Sequence, residues 1–102
     1  MNREKITDRL KKEIRKIDPE AEIYLFGSRA RGDFRGDSDW DVLILTGREV
    51  DRKLEEDIRN RIFDIEIDEE EPISTMIYSK KKWMELEVTP LYKNIQSEGV
   101  RA

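Results

Sequence analysis

Between residues 27 and 41 the chain reads GSRARGDFRGDSDWD, and its capacity for chemistry is concentrated there. Asp39 and Asp41 stand two residues apart at the head of the apolar run DVLIL, residues 41–45. Alternate side chains of an extended strand share a face, so both carboxylates can reach the same divalent ions through oxygen, the donor that Mg²⁺ prefers. Trp40 lies between them, faces the opposite side, and is assigned to the core or a subunit contact. At the other end of the segment, Gly27 lets the backbone turn sharply off a strand. Ser28 adds a hydroxyl beside backbone N–H groups that a helix start leaves free, which is the local chemistry of a phosphate site. Arg29 and Arg31 follow, with planar guanidinium groups suited to the charge of a leaving phosphate, although Arg31 equally suits a surface pair with Asp33 or Asp37. A lone Gly-Ser pair or a lone D-x-D describes a solvated turn just as well; their spacing in one segment is what carries weight.

A third acid is available further on. IFDIEID, residues 62–68, alternates Ile62, Asp64, Glu66 and Asp68 against Phe63, Ile65 and Ile67, which predicts a strand with acids on one face. If this strand runs parallel to 41–45, its beginning lies beside Asp39 and Asp41, which favours Asp64 and leaves Glu66 open as an alternative on the same face. Three converging acids repel one another unless cations sit between them, so the arrangement makes sense for a metal site and is costly for structure alone.

The remaining composition narrows the chemistry further. The 102 residues include no His and no Cys, so imidazole, thiolate and disulfide chemistry are excluded and catalysis must run on carboxylates, hydroxyls, Lys or Arg. With 20 Lys plus Arg against 24 Asp plus Glu, the net charge of −4 argues against a sequence-independent nucleic-acid binder. No apolar run approaches the length of a membrane span and the first residues carry no apolar leader core, so the expectation is a cytoplasmic protein without membrane insertion. Charged residues are 43% of the chain and hydrophobic ones 36%, which implies a small core and helices with wide charged faces.

The elements that position these residues follow from periodicity. Ile6, Leu10, Ile14 and Ile17 predict an amphipathic helix over residues 3–17, ended by Asp18-Pro19. EIYLF, residues 22–26, predicts a short buried strand, and residues 28–38 a surface turn or short helix with loop. The near-continuous apolar run 41–45 predicts a central strand covered on both faces. Val50, Leu54 and Ile58 predict a second helix over 48–61, long enough to cross over to a parallel strand at 62–68. Residues 68–72 then read as a hairpin turn, 73–78 as a return strand, Ser79 as the N-cap of a helix with Trp83 and Leu86, and Thr89-Pro90 as the start of a last helix ending at Gly99. The fold class is α/β (α+β): one domain over residues 1–102, with a mixed sheet of about four strands flanked by helices. Lys80 to Lys82 read as an exposed helix face.

The pattern G-S-x-x-x-G, five variable residues, then S-D-x-D, followed by an acid among apolar residues, resembles the minimal nucleotidyltransferases of the DNA polymerase beta superfamily. Gly27, Ser28, Gly32, Ser38, Asp39 and Asp41 carry the resemblance, and Asp64 and Glu66 both suit the later acid. The resemblance implies transfer of a nucleoside monophosphate from a triphosphate, ATP first among donors, to a hydroxyl, with release of pyrophosphate. Asp39 and Asp41 would hold two Mg²⁺ ions, one shared with the third acid, while Gly27, Ser28 and Ser38 with neighbouring N–H groups would cradle the phosphates. It also implies partners: minimal members are often encoded beside a helical HEPN-type protein and can act as the antitoxin that adenylylates it. A second copy of the chain is the other expected source of an acceptor surface. The alternative from a different class is a non-catalytic binding module, or antitoxin subunit, that occludes the helical partner.

Overall fold

The computed structural model describes residues 3–26 and 39–101, which form one four-stranded mixed sheet with helices on both faces. In chain order the described elements are α1 (Arg3–Ile17), β1 (Glu22–Phe26), β2 (Trp40–Thr46), α2 (Arg52–Glu69), β3 (Ile73–Ser79), α3 (Lys80–Glu85), α4 (Pro90–Glu98) and β4 (Val100–Arg101). Strand order is β3-β2-β1-β4, with β2 and β3 parallel and the other pairs antiparallel.

β2 owes its central position to a run of apolar residues that can be covered twice. Val42, Leu43, Ile44 and Leu45 are all buried, with alternate residues entering different cores. On one face, Trp40, Val42 and Ile44 join Ile23 and Leu25 of β1 and Ile73 of β3 beneath α1 and α2. On the other, Leu43 and Leu45 meet Trp83 of α3 and Ile95 of α4, with Tyr24, Phe26, Met76 and Tyr78 partly buried around them. Trp83 stands at the centre of this smaller core, 5.6 Å from the ring of Tyr78 and 5.1 Å from that of Tyr92.

Local chemistry sets the helix ends. Ser79 accepts from the Lys82 N–H at 3.1 Å and Thr89 from the Tyr92 N–H at 3.2 Å, as capping residues should. Asp51 caps α2 by accepting from the Leu54 N–H at 2.8 Å. Asp18, buried despite its charge, uses both oxygens: one accepts from the Glu20 N–H at 3.1 Å and the other from the Gly47 N–H at 2.8 Å. These bonds tie the turn after α1 to the end of β2. Gly47 is needed there because a Cβ would lie 2.7 Å from the Cβ of Glu20, closer than packed carbons can approach.

One expectation is overturned. Residues 62–68 are the continuation of helix α2, not a strand, and α2 runs to Glu69. Leu54, Ile58, Ile62 and Ile65 recur at spacings of four, four and three and are all buried, while Phe63 and Ile67 are each 58% exposed. A strand would have buried Phe63, Ile65 and Ile67 together; the helical stripe wins because it extends an established turn onto the sheet and leaves Ile65 in the core under either period. Glu70, at φ 55°, ends the helix in the left-handed conformation, its N–H donating to the Glu66 carbonyl. The parallel partner of β2 is therefore β3, reached through the whole of α2, and 68–72 is not a hairpin turn. The sheet retains four strands because Val100–Arg101 adds the last one beside β1.

Two measurements follow from this packing. Ile62→Ala should destabilise the protein by about 2–5 kcal/mol, whereas Phe63→Ala should change stability by no more than about 0.5 kcal/mol. Chemical denaturation of the two variants reads the difference, and a reversed order would restore the strand.

The second measurement concerns the Glu22 carboxyl of β1, held below its ordinary range chiefly by the Tyr24 hydroxyl, which donates at 2.7 Å, and by Lys80, 3.1 Å away, against the opposing effect of burial. A depressed carboxylate contributes stability above its unfolded pKa that is lost as pH falls through its folded one. The stability gap between parent and Glu22→Gln, below about 1 kcal/mol for so modest a burial, should therefore close on acidification from about pH 7 to about pH 3.

Candidate active site

β2 begins at Trp40, so Asp41 is its second residue and Asp39 immediately precedes it. Alternation sends Trp40 into the core beneath α1 and α2, where it is 2% exposed and its indole N–H donates to Glu71 at 3.3 Å. Asp41 therefore belongs to the opposite face, with Leu43 and Leu45, as the spacing of the two acids around Trp40 predicts. In the sheet register Asp41 is flanked by Phe26 at the end of β1 and Ser74 near the start of β3. The Ser74 hydroxyl donates to the Asp39 carboxylate at 2.8 Å.

The electrostatics of the pair are unfavourable without a counter-charge. The Asp41 carboxyl is pushed above its ordinary value, first by burial and then by the negative charge of Asp39. Asp41 is half-buried and Asp39 exposed, which leaves an oxygen-only donor set open to solvent. Two carboxylates and a neighbouring hydroxyl suit a hard cation such as Mg²⁺, which would relieve the repulsion that raises Asp41.

Asp64 and Glu66 do not join this set. Both are on α2, whose apolar stripe packs against the sheet face carrying Trp40, Val42 and Ile44, so the sheet separates that helix from the face of Asp41. Asp64 instead lines a shallow groove with Arg9, Glu13, Arg61 and Asp68, and Arg9 pairs with Asp68 at 2.5 Å. The register beside the acids belongs to β3, which presents Ser74 where an early strand was expected to present Asp64. Among the described residues no group of three or more acids is arranged to hold a metal. Gly27, Ser28, Arg29, Arg31 and Ser38, together with the turn expected over 28–38, lie outside the described residues.

Ser74 is the residue that reading the sequence missed. It follows Pro72-Ile73 at the head of a short β-rich run, a signal that becomes meaningful only once β3, and not 62–68, is known to neighbour β2.

Residues 7–102 match the family model of the nucleotidyltransferase domain, and the chain belongs to that family. Solved structures agree at the level of fold. One, described as a toxin-antitoxin with AMP-PNP, has a TM-score of 0.67 at 19% identity, over 93% of this chain and 70% of that chain. Another, a mutant of the toxin-antitoxin MntA-HpeT, has a TM-score of 0.64 at 19% identity, over 99% of this chain and 72% of that chain. No curated protein matches the chain.

The two causes of the Asp41 shift are separable. In Asp39→Asn the Asp41 carboxyl should titrate lower than in the parent yet stay above the ordinary value, because burial, the larger cause, remains. Carboxyl-carbon NMR titration without metal reads both. A raised carboxyl pKa works against the fold as pH climbs past the unfolded value, so Asp39→Asn should be at least as stable as the parent at neutral pH.

Proposed function

We propose that residues 1–102 act as a single domain transferring a nucleoside monophosphate, AMP from ATP, to a hydroxyl of a partner protein or small molecule. The observation that carries this reading is the pair Asp39 and Asp41 at the head of the central strand, in a chain of the nucleotidyltransferase domain family. The acceptor oxygen forms a bond to the α-phosphorus, the bond from that phosphorus to the β-phosphate oxygen breaks, and pyrophosphate leaves. The acceptor proton passes to a carboxylate of the pair, a role open to an acid where the chain has no His. Asp39 and Asp41 would hold Mg²⁺, which when bound lowers the pKa of the acceptor and offsets triphosphate charge. Gly27, Ser28, Arg29, Arg31 and Ser38 are proposed to bind the phosphates, on the strength of their types and spacing.

Two solved structures of similar fold are toxin-antitoxin proteins, which supports a protein partner for this chain. We assign that role to a helical HEPN-type protein, with self-association as the other route to an acceptor surface. No described helix is long and apolar enough to cross a membrane. A second reading, the antitoxin as a non-catalytic binding module, is favoured by one specific observation: the described strands bring together two carboxylates, not three.

Incubation with α-labelled ATP, Mg²⁺ and candidate partner proteins separates the two. Transfer of label to a partner hydroxyl by the parent, reduced roughly 100-fold or more in Asp39→Asn and in Asp41→Asn, is the catalytic outcome. Partner binding that survives both substitutions, with no label transferred, is the binding-module outcome. In the catalytic case Mg²⁺ and ATP together should raise the melting temperature by more than the sum of their separate effects, because each supplies part of the other's site.

A further inference from the structure

We infer that Ser74 is a positioning residue for the Asp39 carboxylate, so that β3 contributes to metal binding through a hydroxyl and not through an acid. This inference rests on the reading of Asp39 as a metal ligand. The argument begins with backbone. β3 is held in register against β2 from the first residues of both: the Trp40 N–H donates to the Pro72 carbonyl at 2.9 Å, Trp40 pairs with Ile73 and Asp41 with Ser74. Ile73 anchors the strand in the core beneath α1 and α2, and alternation puts Ser74 on the face of Asp41.

Asp39 has no such anchor in the ladder, since β2 begins one residue after it and its side chain is exposed. An exposed aspartate is free to sample its rotamers in water, and holding it in one costs conformational entropy. The 2.8 Å bond from Ser74, 35 positions away in the chain, supplies a charge-assisted donor from a strand already fixed by the sheet. It engages one carboxylate oxygen and leaves the other, with the remaining lone pairs, for a cation. A neutral donor at this position adds no negative charge beside Asp41, whereas a third carboxylate would add to the repulsion. Partners that orient a ligating carboxylate in this way typically carry about 10- to 100-fold in metal affinity.

Mn²⁺ alone, an ion of the same oxygen-preferring kind that reports its own binding by electron paramagnetic resonance, is the probe. With the full chain, Ser74→Ala should weaken Mn²⁺ binding about 10-fold or more and leave the metal-free melting temperature unchanged. Ser74→Thr, which keeps the hydroxyl on a strand position that favours β-branched residues, should restore affinity to near that of the parent. A merely structural serine would show the opposite pattern, moving the melting temperature and not the affinity. If Asp39→Asn abolishes Mn²⁺ binding while Ser74→Ala leaves it intact, the positioning role falls and the metal reading stands. If the parent binds no Mn²⁺, both fall together.

Discussion

Coverage of β2 from both sides is the constraint on which the other features depend. Four consecutive apolar residues, Val42 to Leu45, can be buried together only if alternate side chains enter separate cores. That requirement recruits α1 and α2 to one face and α3 and α4 to the other, and makes β2 an interior strand between β1 and β3. It also fixes where charge can be tolerated. Asp41 is placed at the first turn of the alternation that faces the smaller core, at the strand's beginning, where burial is incomplete and solvent or a ligand can reach it.

The two faces are unequal, and the inequality has functional meaning. The larger core beneath α1 and α2 is continuous from Ile6 to Ile73 and includes Trp40, whose ring anchors the peptide between the two acids. The smaller core, built around Leu43, Leu45, Trp83 and Ile95, covers the later part of the face. A carboxylate pair therefore projects from the well-supported backbone of a central strand without being enclosed. Partial burial raises the Asp41 carboxyl and Asp39 adds like charge, so the pair is poised to gain from a cation in a way that two fully hydrated acids would not be. Such supporting backbone is what a site needs when ligand geometry, not flexibility, determines affinity.

Polar side chains complete this frame at both ends of β2. At its end, buried Asp18 takes the Gly47 N–H and Thr46 donates to the Arg48 carbonyl at 2.5 Å, closing the turn toward α2. At its beginning, Ser74 reaches Asp39 and Glu71 reaches Trp40. The Asp18, Ser74 and Glu71 bonds join segments distant in sequence, so the position of β2 along its own axis is held against neighbours on either side. Register matters here because a shift of one residue would exchange Trp40 and Asp41 between core and site.

Much of this was determined by local sequence. The spacing of Ile6, Leu10 and Ile14, the doubly apolar run after Asp41, and the capping residues Ser79 and Thr89 are short-range signals whose physics lies within a few residues. The alternation that puts Asp39 and Asp41 on one side of Trp40 is of the same kind. The segment 62–68 shows where such signals end. Its residues satisfy a two-residue and a helical period at once, and Ile65 is apolar in both, so local pattern does not choose between them. The choice was made by what the segment packs against: continuing α2 buries Ile62 and Ile65 on a sheet already formed, at the expense of exposing Phe63 and Ile67. From that choice follows the identity of the neighbouring strand, and with it the replacement of Asp64 by Ser74 beside the acids. Sequence alone determined that two carboxylates share a face; which third side chain meets them is a long-range pairing, decided only when the helix and the sheet bury their apolar surfaces together.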